Sequence, residues 1–149
     1  MAKRRILIVD DEESIRNLME HVFKRNGYSV LVASDGVEGL ARVAELCPDV
    51  VLLDVQLPDG TGFDVVRTVG PQRMPQVVFV TAYDEYAVRA FEVNAVDYLL
   101  KPFAPSRFKL VLERVRRQLA GPLPADLGQR IERLLEAVRP TPRYPRHVL

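Results

Sequence analysis

Five short apolar runs in this chain carry almost no polar residue: Ile6 to Val9, Val30 to Ala33, Val50 to Leu53, Val77 to Val80, and Tyr98 to Leu100. A strand with one wet face alternates apolar and polar residues, so runs without alternation describe strands buried on both faces. That burial requires helices on either side of a sheet, and the intervening segments supply them. Ile15, Leu18, Met19, Val22 and Phe23 recur at helical spacing, and so do Val37, Leu40, Ala41 and Ala44. A shorter helix is predicted near Phe63 and another from about Glu85 to Val93. The last runs from about Pro105 to Leu119 through Phe108, Val111, Leu112, Val115 and Leu119 itself. Strand and helix alternate five times, which predicts an α/β fold: a doubly wound five-stranded parallel sheet with right-handed crossovers.

The chain has 149 residues, enough for one ordinary domain and a remnant. After Ala120 the texture changes. GPLPAD punctuates the end of the last core helix, and DLGQRIERLLEAVR then sets Leu127, Ile131, Leu134, Leu135 and Val138 on one helical face. Asp126 is its candidate N-cap. The closing PTPRYPRHVL reads like a cut edge. The expected organisation is therefore a domain over residues 1–120 and a linker with an amphipathic helix over residues 121–149.

Cys47 is the single cysteine, so no internal disulfide can form, and with only two histidines a zinc site cannot be built from these residue types alone. The apolar run after MAKRR stops at Asp10, too short for a signal peptide or a membrane span. These features suggest a cytoplasmic protein without membrane contact. Charge is lopsided: residues 1–100 hold 10 lysines and arginines against 16 acids, whereas residues 101–149 hold 11 against 4. A basic tail suits either a solvated helix face or nearby nucleic acid.

The first apolar run ends on DDEES. Glu12 and Glu13 are explained by the positive end of the helix that follows, but two adjacent carboxylates at a strand end call for a cation. VVLLDVQLPDGTG repeats the arrangement, ending a strand on Asp54. In an open parallel α/β sheet, functional groups gather beyond the carboxyl ends of the strands. By that rule Asp10, Asp11, Asp54, Thr81 and Lys101 can meet. Each has a bland reading by itself; their coincidence at four strand ends is harder to dismiss. Three close carboxylates repel one another unless positive charge is supplied, and Mg²⁺ prefers such oxygen ligands. Lys101 adds a compact charge suited to phosphoryl oxygens. Acids, a divalent cation, a lysine and a hydroxyl equip a site for phosphoryl transfer with a carboxylate as nucleophile.

The set Asp10-Asp11, Asp54, Thr81 and Lys101-Pro102 resembles the receiver domain of two-component response regulators, the relatives of CheY, over roughly residues 4–119. The resemblance implies the flavodoxin-like strand order 2-1-3-4-5. It implies that Asp54 accepts a phosphoryl group from the phosphohistidine of a sensor histidine kinase. Asp11, Asp54 and the backbone carbonyl of Gln56 would ligate Mg²⁺, with Asp10 acting through a coordinated water. Thr81 would bond the phosphoryl oxygens, Lys101 would pair with the phosphoryl group, and the Lys101–Pro102 bond would be cis. Tyr98, three residues before the lysine, occupies the place of a switch aromatic, although an aromatic on an inner strand also serves a core. The positions of Gln56 and Tyr83 are among those that tune dephosphorylation. Such a domain is a phosphoacceptor that catalyses its own phosphorylation and dephosphorylation, not a conventional enzyme. Phosphorylation is expected to change the face of the fourth helix, fifth strand and fifth helix and to form a homodimer through it.

FVTAYDEYAVRAFEVNAVDYLLKPF is further similar to receivers joined to a LytTR-type DNA-binding domain, as in regulators of the LytR and AlgR kind. On that reading the helix after Gly121 is a connector, and DNA is reached only through a domain absent from this chain. The alternative is a stand-alone receiver acting by protein contact. A haloacid-dehalogenase-like phosphatase would need an acid where Gln56 stands, and DDEES would repel a flavin phosphate. His21, on a predicted helix of an α/β domain, reads as a surface residue.

Overall fold

A computed structural model describes residues 3–70, 72–93, 95–120 and 135–137. The chain divides into two compact units, Met1–Phe79 and Val80–Leu149. The first holds β1 (Arg5–Val9), α1 (Glu13–Arg25), β2 (Ser29–Ala33), α2 (Gly36–Leu46), β3 (Val50–Asp54), the hairpin strands β4 (Gln56–Leu57) and β5 (Gly60–Thr61), and α3 (Gly62–Val69). It ends within β6 (Gln76–Thr81). The second unit holds the end of β6, a 3-10 turn over Asp84–Tyr86, α4 (Ala87–Glu92), β7 (Asp97–Leu100) and α5 (Pro105–Ala120). Residues 135–137 are also helical. The rest of the expected linker and amphipathic helix, including Asp126, Leu127, Ile131, Leu134 and Val138, lies outside the described residues.

The main sheet has the order β2-β1-β3-β6-β7. Discounting the two-residue hairpin strands, this is the expected parallel 2-1-3-4-5. β1 sits between parallel partners, with Ile6 opposite both Val30 and Val50. All five residues of β3 are buried, as are the last four of β1, because helices cover both faces. β2 has a neighbour on one edge only, and its middle residues are partly exposed.

The helices confirm the expected period but correct two of the stripes. In α1, Met19 and Phe23 are buried, and Phe23 meets Tyr28 edge-on at 5.6 Å, while Leu18 is exposed. In α2 the buried face is Gly36, Gly39 and Val43, whereas Val37 is 70% exposed and Ala41 and Ala44 also face water. The cause is close approach: a Cβ at Gly39 would lie 3.1 Å from Val9 Cγ2, so a glycine face lets α2 settle onto β1. The fourth helical segment is broken into the 3-10 turn and a six-residue α4. His21 is exposed, as expected.

Candidate functional site

At the end of β1 the carboxylate of Asp10, 1% exposed, accepts the Glu12 amide at 2.9 Å. At the end of β3, Asp54, 5% exposed, accepts the Gln56 amide at 3.1 Å. Each strand therefore turns by bonding its terminal side chain to the backbone two residues on, which Asp does readily. Arg16 donates to the Asp10 carbonyl at 2.7 Å, a support for this turn that the sequence pattern did not reveal. Beyond Asp54 the chain folds back through β4 and β5, and Gly62 N–H donates to the Val55 carbonyl at 2.8 Å. A Cβ at Gly62 would stand 2.5 Å from the Asp54 carbonyl oxygen, so only glycine permits this approach.

The result is an acidic cluster. One carboxylate oxygen from each of Asp10, Asp11, Glu12 and Asp54 lies within 4.8 Å of the others. Glu12, expected only to complement the helix, belongs to it as well: its backbone is the N-cap of α1, yet its side chain makes no capping bond. The donor set is all carboxylate oxygen, and an octahedral Mg²⁺ spaces its ligand oxygens by about 3 to 4 Å, so these residues fit a small hard cation. Two of the four are buried, where a carboxylate without compensating charge is costly.

In the second unit, Thr81 ends β6 and is buried, and its Oγ1 accepts the Tyr83 amide at 3.3 Å. Lys101 follows β7, its amide donating to the Thr81 carbonyl at 2.7 Å, and the Lys101–Pro102 peptide is cis as the resemblance implies. Tyr98 is 2% exposed and its hydroxyl donates to the Tyr83 carbonyl. Burial pushes the Tyr98 phenol well above its ordinary pKa, and the neighbouring Asp84 and Glu85 push the same way. The sequence reading missed Asp97, the first residue of β7. Its buried carboxylate receives Arg107 through two nitrogens, at 2.7 and 3.1 Å, and Arg114 at 2.9 Å. An acid beside the aromatic at the start of β7, with arginines at 107 and 114 on the next helix, was a signal available in the sequence. It required knowing which face of α5 turns inward.

Residues 6–113 match the model of the response regulator receiver domain. The chain belongs to that family, and is thus the phosphorylation-dependent receiver of a two-component response regulator, a signalling domain rather than a conventional enzyme. Over 116 residues it is 43% identical to an uncharacterized response regulatory protein of Vibrio parahaemolyticus, covering 76% of this chain and 48% of that one. It is 41% identical, with the same coverage, to the transcriptional regulatory protein BtsR of Escherichia coli. The chain spans about half the length of these relatives. The chemotaxis protein CheY4 of Vibrio cholerae superposes with a TM-score of 0.68 at 34% identity, over 76% of this chain and 99% of that one. Receiver domains generally bind Mg²⁺ at an acidic pocket, and the cluster described above has the chemistry for it. Among the described residues no helix is long and apolar enough to cross a membrane.

Proposed function

We propose that Asp54 is the phosphoacceptor and that a sensor histidine kinase is its donor. The observation that carries this reading is the buried Asp54 carboxylate at the end of β3, gathered with Asp10 and Asp11 into one acidic cluster. One Asp54 oxygen attacks the phosphorus of a phosphohistidine; the P–N bond breaks, and the imidazole leaves with its electron pair and takes up a proton. Asp11, Asp54 and the Gln56 carbonyl would hold Mg²⁺, with Asp10 reaching it through water; bound there, the ion neutralises charge on the transferring phosphoryl oxygens. Asp10 and Asp54 are held in place by their own strand-end turns. Thr81 and Lys101 complete the machinery, the hydroxyl bonding a phosphoryl oxygen and the ammonium pairing with the group's charge. The order of the sheet, with β6 between β3 and β7, supports this assignment.

The domain passes its state to a LytTR-type DNA-binding domain that follows it. This reading is supported by the stretch from Phe79 to Phe103, by relatives about twice as long, and by the name of BtsR, a transcriptional regulatory protein. Acetyl phosphate with Mg²⁺ should add one phosphoryl group by intact mass, and chelation of the ion should abolish the gain. Asp54→Asn should gain none. Equal phosphorylation of that variant would mean another nucleophile.

A further inference from the structure

A line of polar contacts runs through the second unit, from the end of β6 to the segment beyond α5. The Tyr83 amide donates to Thr81 Oγ1, and the Tyr83 carbonyl accepts from the Tyr98 hydroxyl. The Tyr98 amide donates to Asp97 Oδ1 at 2.8 Å, and Asp97 Oδ2 accepts from Arg114 Nη1 at 2.9 Å. Arg114 Nη2 then donates to Glu136 Oε2 at 2.7 Å. Arg107 braces the middle of the line, bonding both oxygens of Asp97 and the Tyr98 carbonyl.

Three features make Arg114 more than a surface ion pair. Its side chain is only 10% exposed and that of Asp97 is fully buried, so neither charge is screened as surface charges are. Its two terminal nitrogens are committed to two different carboxylates, which the rigid guanidinium fork permits and a lysine would not reproduce. Ala137, next to Glu136, is buried, so the segment is seated rather than touching through one charge.

We propose that Arg114 is a latch that seats the segment at Glu136 on α5, and that Asp97 couples this seating to the position of Tyr98. A displacement at Tyr98 shifts the amide and carbonyl that Asp97 and Arg107 hold. Arg114 must follow Asp97, because the buried acid has the stronger claim on it, and Glu136 then loses its partner. The segment beyond the receiver thus senses the β6–α4 loop; its use in signalling rests on the reading of Thr81 as the group that bonds the phosphoryl oxygens.

Hydrogen exchange by mass spectrometry on the whole chain, following the peptide that contains residues 135–137, tests this without any phosphorylation. Failure of Asp54 as phosphoacceptor would therefore leave the result untouched. Glu136→Gln should speed exchange there roughly tenfold or more, the loss expected for a hydrogen bond between charged groups. Arg114→Lys, which keeps the charge and loses the fork, should do the same with the exchange of β7 little changed. Tyr98→Phe, which removes only the hydroxyl, should speed the same peptide by a smaller factor, with no further effect once Glu136→Gln is present. Unchanged exchange in Glu136→Gln overturns the latch. A Tyr98→Phe variant that leaves this peptide at the wild-type rate, or whose effect adds fully to that of Glu136→Gln, overturns the coupling.

Discussion

Side chains at strand ends here have one observed job and one proposed. Asp10, Asp54 and Thr81 each accept the amide two residues further on, closing the turn that leaves the sheet. The same oxygens are those expected to face a cation or a phosphoryl group. Asp59 shows how a carboxylate works when only the structural job remains. It accepts the Gly36 and Val37 amides at 2.8 and 2.9 Å, two of the unsatisfied donors at the start of α2, while Asp35 accepts the Glu38 amide. Those two backbone bonds hold the Asp59 carboxyl below its ordinary pKa. A carboxylate depressed on folding contributes stability that is fully present above its unfolded pKa and fades as pH falls through the folded value. The thermal midpoint of wild type should therefore exceed that of Asp59→Asn by a constant margin near neutrality. The margin should narrow once pH drops below the ordinary aspartate value of 3.8. A margin that does not change with pH would place the effect elsewhere.

Among the elements, β7 and α5 are joined by an ion cluster as well as by an apolar face. Phe108, Val111, Leu112 and Val115 supply the buried stripe of α5, as their spacing predicts. Arg107 and Arg114, about two turns apart on α5, bring two guanidinium groups to Asp97. Breaking a buried pair by removing one partner leaves a stranded charge and costs about 3–5 kcal/mol. Asp97→Asn, nearly isosteric, takes the carboxylate from Arg107 and leaves Arg114 with Glu136 alone. Denaturant unfolding should show a loss of at least that order, larger than for Arg42→Gln, whose contact with Glu38 at 3.7 Å is exposed. A loss below about 1 kcal/mol, the level of a surface pair, would refute a structural role for the cluster.

For the molecule as a whole, the proposed activation is a shift between existing states, whose extent would follow from contacts that differ between them. The face of α4, β7 and α5 carries the exposed Val88 and lies on the elements that Tyr83, Tyr98 and Arg107 interconnect. Beryllofluoride treatment in the presence of Mg²⁺ should therefore move the chain from monomer to dimer through this face in sedimentation velocity, and Val88→Asp should prevent it. A beryllofluoride-treated chain that stays monomeric at high concentration would argue against that interface.

Apolar runs without alternation were enough to read five strands and a sheet, because burial on both faces of the inner strands leaves no other composition for them; only the edge strand β2 is partly exposed along its middle. The acidic cluster was legible for a related reason: strand ends in such a sheet are where polar residues have no packing duty, so DDEES and Asp54 stood out, and Thr81 and Lys101 were proposed beside them on the same ground. Helix faces were less legible. Val37, Leu40, Ala41 and Ala44 suggested one side of α2, whereas the buried side places Gly39 against Val9 of β1 and Gly36 against the Asp59 carboxylate, and a glycine carries no hydropathy to betray a buried face. Glu12 looked like a helix-end charge until the turn after Asp10 carried its side chain into the acidic cluster. Asp97 with Arg107 and Arg114, spread over residues 97–114, met only when β7 and α5 were packed together. Local periodicity records which residues leave water. Which charges find one another is decided by the angle and register at which whole elements pack, and that is a property of the tertiary structure alone.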